Sequence, residues 1–202
     1  MSNQVNTKQK GLTVKDLVTT GIFSALFLVF TMIGGGFFAA NPVLTFYMPL
    51  GSALLAAPIY LLLIAKVHKR FCITILGVIM AIIWFVTGMH WGLSLGSIIM
   101  AVVADIVSGI RQYKSKLFNS LSYMTMALGT TGTYIVFFIN PSAWTATMLG
   151  NGTEQSYIDT MMASVHSWTL IVIIVGTLAV AGISALVGNW MLKKQFEKAG
   201  IV

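Results

Sequence analysis

Lys66-Val67-His68-Lys69-Arg70 interrupts a chain that is apolar on both sides. The run 46–65 before it and the run 71–86 after it hold no Lys or Arg. The same device recurs three times more. Lys8, Lys10 and Lys15 precede the first apolar run; Arg111, Lys114 and Lys116 separate the fourth from the fifth; Lys193, Lys194 and Lys198 follow the last. All 12 Lys and Arg residues fall in these four groups. Alternate junctions are therefore basic and the others carry no cation, the positive-inside pattern of a multi-pass protein. It predicts a bacterial-type inner (plasma) membrane protein with an even number of spans and both termini in the cytoplasm.

Composition points the same way. Hydrophobic residues are 57% and charged residues 8% of the 202, with a mean hydropathy of +0.88. That leaves too little polar surface to cover a soluble globule. The net charge of +7 does not imply nucleic acid, because every basic residue is juxtamembrane. Attraction to an anionic inner leaflet, about 1 kcal/mol per residue near the surface, accounts for it. The single Cys72 cannot form an internal disulfide and reads as packing. The first apolar run, 17–33, is longer than a signal-peptide core, and Phe38-Ala39-Ala40 is a poor cleavage site. It is expected to stay as an uncleaved first span.

A hydrocarbon core about 30 Å thick needs roughly 20 apolar residues per helix. On that ruler the chain is one all-α transmembrane domain, 1–202, with six helices. The first is capped by Thr13 and runs to about Phe37. The others cover 46–65, 71–86, 91–108, 118–139 and 167–192, with cytoplasmic tails at 1–12 and 193–202. Pro49 and Pro58 in the second predict a kink. Thr87-Gly88-Met89-His90 is a tight outer turn. Gly34-Gly35-Gly36 through Asn41-Pro42 reads as a flexible outer linker. The outer segment 140–166 opens with Asn140-Pro141 and holds Gly150-Asn151-Gly152. Tyr157, Met161 and Val165 then recur at i, i+4, i+8, which predicts a short amphipathic helix on the outer interface with Glu154 and Asp159 toward water.

Several chemistries lack their parts. No phosphate-binding Gly-Lys-Ser or Gly-Lys-Thr loop, nucleophile elbow or paired helical histidines are present. No catalytic residue and no metal site is assigned. Of the 5 acidic residues only Asp105 lies within a predicted span, near the inner surface, where pairing with Arg111 or Lys114 is expected. Transport would then need energy from a partner. On the first helix, Thr20, Gly21, Ser24 and Ala25 form two overlapping small-xxx-small pairs, suited to packing within the bundle or to docking another subunit. His68 sits among cations and is expected in solvent. His90 and His166 lie at the outer rim, among Phe46, Tyr47, Trp91, Tyr134, Trp144, Tyr157 and Trp168. These aromatics form an interfacial belt or the wall of an outward cavity.

With these residues in view, the chain resembles the S components of energy-coupling factor transporters, the membrane-embedded substrate-binding subunits of ABC-type micronutrient importers. It is most similar to the branch known from treponemes and streptococci. The resemblance spans nearly the whole chain. It is carried by Thr13-Val14-Lys15-Asp16-Leu17, Gly88-Met89-His90-Trp91, Ala104-Asp105-Ile106-Val107-Ser108-Gly109, the stretch 157–162, and the tail Lys193-Lys194-Gln195-Phe196-Glu197-Lys198-Ala199-Gly200-Ile201. It implies a non-enzymatic subunit working with a transmembrane coupling subunit and two cytoplasmic ATPases, capturing substrate outside and toppling to release it inside. Family S components dock through a small-residue pair on the first helix, matched here by Gly21 and Ala25. The family's pocket, carried over by position, implies Trp91, Leu95, Tyr134, Asn140, Trp144 and Trp168, gated by Gly34, Gly35, Gly36 and Asn41.

The outer segments contain no Lys or Arg, which disfavours a strongly anionic substrate. A neutral or cationic vitamin-like ring compound suits the aromatics and the two acidic residues. Haem is a second candidate as substrate, because the branch is associated with haem acquisition and His90 or His166 could ligate iron. No resident cofactor is expected. Two other classes stay open: a stand-alone facilitator or channel, and a structural membrane protein without a small-molecule ligand.

Overall fold

The computed structural model describes residues 11–196. Lys8, Lys10, Glu197 and Lys198, the 1–10 part of the first tail and the motif residues 197–201 lie outside them. Every regular element among the described residues is helical. The long ones are α1 (Val14–Ala39), α2 (Met48–Val67), α3 (Cys72–Val86), α4 (Trp91–Gly109) and α9 (Thr169–Met191). Between α4 and α9 lie α5 (Lys116–Ala127), α6 (Gly132–Ile139), α7 (Pro141–Gly150) and α8 (Gln155–Ala163). Among the described residues four segments are long and apolar enough to cross a membrane: Val14–Ala39, Thr45–Val67, Trp91–Gly109 and Thr169–Lys194. α3 is apolar but has only 15 residues.

The sequence expectation of one helix over 118–139 needs correction. α5 and α6 are joined by a 3-10 turn, Leu128–Thr131. Thr130 and Thr131 donate their hydroxyls to the carbonyls of Ala127 and Leu128, three residues back. Such back-bonding competes with the regular ladder and bends a helix. Gly129 and Gly132 flank the break. A Cβ on either would press into the backbone of Gly96 or Gly92, so α4 and this turn meet main chain to main chain.

The elements form a closed ring in the order α1, α2, α9, α5, α4, α3 and back to α1. α2 also reaches across to α5. Around the outside the ring is apolar: Ile22, Val29 and Ile33 of α1, Ile82 and Phe85 of α3, Ile99 and Ile106 of α4, and Ile171, Val175 and Leu186 of α9 are all exposed. A continuous girdle of this kind is what lipid requires and water penalises. Inside, Tyr60 bonds Ser122 at 2.6 Å, Ser122 donates to the Ala104 carbonyl at 2.7 Å, and Ser184 donates to the Leu54 carbonyl at 2.6 Å. Buried hydroxyls thus find partners between helices.

Specific bonds place all the described cations at one end of the bundle. Thr13 caps α1, as expected, and the structure adds a reciprocal bond to the Asp16 carboxylate that makes a capping box; Lys69 closes on Asp16 at 2.6 Å. Asp105, near the end of α4, accepts from Phe71 N–H at 2.7 Å, from Thr74 at 2.9 Å and from Tyr113 at 3.0 Å. Asn189 of α9 donates to Ser120 of α5 at 2.8 Å. The expected pairing of Asp105 with Arg111 or Lys114 is therefore a correction, since neutral donors hold it. Lys69–Asp16 is the one ion pair among the described residues.

Two more expectations change. Pro49 lies in the first turn of α2, where its missing N–H leaves no bond unmade, and only Pro58 is inside the helix. Gly34-Gly35-Gly36 is not a linker but the last turns of α1. Gly34 and Gly51 of α2 touch through their backbones, and a Cβ on Gly35 would collide with the Ser52 hydroxyl. Close helix approach, rather than flexibility, is what Gly34 and Gly35 supply.

Candidate functional site

At the end opposite the basic residues, the chain between α6 and α9 folds into a cap. Pro141 forces the preceding Asn140 out of the helical region, ending α6. Asn140 then caps α7 by accepting from Ala143 N–H at 3.1 Å, with Pro141 in the first turn. The sequence reading took Asn140-Pro141 for the opening of a loop and so missed α7. The amphipathic helix expected near Tyr157 is present as α8. Its apolar face turns inward, however: Ile158 and Met161 are buried in the protein instead of lying on the interface, while Glu154 and Asp159 stay exposed.

Two polar contacts hold the cap down, and a third fixes the helix that precedes it. Tyr157 donates to the Ala39 carbonyl at the end of α1 at 2.6 Å. Asn151 donates to the Gly88 carbonyl in the α3–α4 turn at 2.9 Å. Tyr134 of α6 donates to the Thr45 carbonyl. Beneath them Phe46, Phe137, Trp144, Ile158, Met161 and Ile173 form an apolar cluster separate from the main core.

Under this cap is a cavity of about 270 Å³. Ala39, Thr45 and Met48 form one wall; Met89, His90 and Leu93 form the second. Thr133 and Tyr134 from α6, Trp144 and Met148 from α7, and Thr153, Tyr157 and Met161 complete it. No Lys, Arg, Asp or Glu lines it. A smaller cavity of about 110 Å³ shares Ala39, Met48, Met89 and Leu93 with it and continues between α1 and Trp84 of α3.

His90 is the most informative wall residue. It is 2% exposed, and its ring lies 5.9 Å from Trp144 at 25°, a stacked pair. Nδ1 accepts from Gly92 N–H at 3.0 Å, which caps α4. Burial holds the imidazole below its ordinary value, so it is neutral near pH 7. With Nδ1 accepting, the proton is assigned to Nε2. Among the described residues, His90 Nε2, Ser94 Oγ and Thr145 Oγ1 are the buried side-chain polar atoms without a protein partner, and of the three residues only His90 lines the cavity. The other aromatic polar groups there are committed: Trp144 donates to Thr133 at 3.0 Å, and Tyr134 and Tyr157 bond to carbonyls.

Of the residues put forward from the sequence, His90, Tyr134 and Trp144 meet at this cavity, as do Gly35 and Gly36 at the smaller one. The rest do not line the larger one. Trp91 and Leu95 are 44% and 49% exposed on the outer face of α4. His166 and Trp168 stack on each other at 5.1 Å on the surface, and Asn140 and Asn41 serve as caps of local turns. Gly34 packs on α2. Gly21 and Ala25 are exposed on α1, whereas their neighbours Thr20 and Ser24 are buried, so the two small pairs divide between outside and inside. Nothing lies within 4 Å of a Cβ built on Gly21.

Leu93, Thr133 and the four methionines Met48, Met89, Met148 and Met161 were missed. A signal for Leu93 was present: Leu93, Ser97, Ala101, Ala104 and Ser108 repeat at helical spacing and mark the buried face of α4. Among the described residues no three His, Cys, Asp or Glu side chains gather for a metal ion.

No curated protein and no solved structure matches the chain. A family model matches residues 14–198, described as hypothetical bacterial integral membrane protein (Trep_Strep). With lipid-facing helices around a capped, charge-free cavity, the chain belongs to this Trep_Strep family of bacterial integral membrane proteins.

Proposed function

We propose that the chain is the substrate-binding subunit of an energy-coupling-factor-type importer, without enzymatic activity of its own. It spans the membrane six times, with α3 and the bent α5–α6 rod completing the four long helices. The basic end faces the cytosol, and the capped cavity faces outside. The observation that carries the reading is that cavity: capped, mostly apolar and preformed, as small-molecule sites are. Among the described residues no Asp, Glu, Lys or Arg, the charged groups on which a self-powered carrier relies, lines its wall. Energy therefore comes from two cytoplasmic ATPases through a transmembrane coupling subunit, docked at the outward-facing Gly21 and Ala25.

A compact vitamin-like compound fits better than haem, whose propionates would meet no Lys or Arg along the cavity wall. Expressed alone, the protein is expected to bind ligand without accumulating it. Co-expression with coupling subunit and ATPases should give ATP-dependent uptake. Accumulation by this chain alone would instead establish a facilitator. Gly21→Leu combined with Ala25→Leu should abolish co-purification with the coupling subunit while ligand binding persists; a complex that survives both changes places the dock elsewhere.

A further inference from the structure

The cavity wall constrains what can occupy it. A charged ligand would lose its hydration and find no opposite charge, because the lining residues are all neutral near pH 7. Glu154 and Asp159 could have favoured a cation, but both are exposed on the outside of the cap and neither lines the cavity. The volume, about 270 Å³, lies at the lower edge of the range for organic ligands and suits one or two rings. Met48, Met89, Met148 and Met161 present thioethers, and sulfur makes favourable contacts with aromatic rings. Trp144 is fixed by its bond to Thr133 and by edge-on packing at 5.3 Å against Phe137, so it offers a rigid flat surface.

One polar requirement remains. The Nε2–H of His90 is a buried donor without a protein partner, while the opposite side of the same ring is held by Gly92 N–H. A buried donor left unmatched is costly, and an acceptor on the ligand removes that cost.

We infer that the ligand is an uncharged one- or two-ring aromatic compound bearing a hydrogen-bond acceptor, a carbonyl oxygen or pyridine-type nitrogen, which His90 Nε2–H engages beside Trp144. This rests on the substrate-binding reading above and adds the class of compound. His90 is then the specificity-determining residue, and the methionines and Trp144 sandwich the ring.

Four probes on one ring system test it with the full-length protein in lipid nanodiscs: naphthamide, naphthoate, naphthylmethylammonium and ethylnaphthalene. Naphthamide should bind about tenfold or more tightly than the other three. His90→Asn keeps an acceptor for Gly92 N–H but cannot reach the ligand, and should weaken naphthamide about ten- to hundredfold, leaving ethylnaphthalene unchanged. His90→Gln, whose amide N–H can occupy the place of Nε2–H, should restore part of the preference. Preference for the carboxylate or ammonium probe, binding of none of the four, or undiminished naphthamide binding in folded His90→Asn would each overturn the inference. Native mass spectrometry of the purified protein separates the two readings. A charged compound retained by the wild type sinks the inference and keeps the binding-subunit role; absence of any retained or bound small molecule sinks the role itself.

Discussion

Each end of the bundle buries an acid–base side chain beside a helix terminus, Asp105 at one and His90 at the other, and they are treated differently. At the basic end Asp105 accepts three hydrogen bonds, from Phe71 N–H, Thr74 and Tyr113. These tie the α2–α3 and α4–α5 loops together. Both loops contain left-handed residues, His68 and Phe71 in one, Gln112 and Tyr113 in the other. At the opposite end His90 makes one bond to its own helix and leaves Nε2 facing no protein group. A group whose capacity is filled by its own chain cements a fold, whereas a group left half-filled next to a cavity is prepared for something that arrives. The comparison separates Asp105, whose bonds are made by its own chain, from His90, on which the proposed recognition rests.

Breaking the first member should have the largest effect. Asp105→Ala strands three donors, two of them from loops in strained backbone, and should destabilise the protein by about 3 kcal/mol or more. Thermal melts in detergent would measure it, and ligand affinity in the surviving folded fraction should stay within about twofold. A large affinity loss without a melting shift would erase the distinction between the two ends.

The next test asks whether the end of α1 beside the smaller cavity is fixed or mobile. Gly34→Val must push α1 from Gly51 and is expected to cost about 1–3 kcal/mol. Gly36→Ala meets nothing within 4 Å and should be close to neutral. Equal tolerance of both would restore the flexible gate that the three glycines suggested from sequence.

Removing one cap contact should matter less. Tyr157→Phe deletes the bond to the Ala39 carbonyl, worth about 1 kcal/mol, and should speed ligand release more than it lowers the melting temperature. Stopped-flow release that is unchanged would mean that the cap does not move during exchange.

The smallest expected effect is on pH dependence. Burial depresses the His90 pKa below its ordinary 6.5, so the unfolded chain takes up a proton that the folded one refuses. Its contribution to stability is complete above that value and declines as pH falls through it toward the lower folded pKa. Tyr134 and Tyr157 are the other titratable cavity residues, and a phenol is neutral throughout this interval. Melts between pH 8 and pH 5 should therefore show less acid sensitivity for His90→Asn than for the wild type, and identical profiles would remove His90 as the source.

Much of the architecture was legible in the chain. Thr13 announced the first helix because an N-cap is a local arrangement within a few consecutive residues. The tight turn before Trp91 and the long apolar runs were equally local. The site was legible only in part. His90, Tyr134 and Trp144 were found because they combine a polar group with an apolar body at the rim. Trp91 and Leu95 lie on the exposed face of α4, away from the cavity, while its interior stripe is Leu93, Ser97, Ala101 and Ala104. In a membrane a bulky apolar residue marks the outside as readily as the core, so size does not indicate direction.

Charge placement and hydropathy alone determined that the chain is a helical membrane protein whose described cations gather at one end. Both properties are transfer energies of single residues, additive along the sequence. What only the tertiary structure decided was the inward turn of α8, the glycine contacts that convert an expected gate into a wall, and the unmatched nitrogen of His90. Each depends on which distant backbone lies opposite a given side chain, and no local preference specifies that.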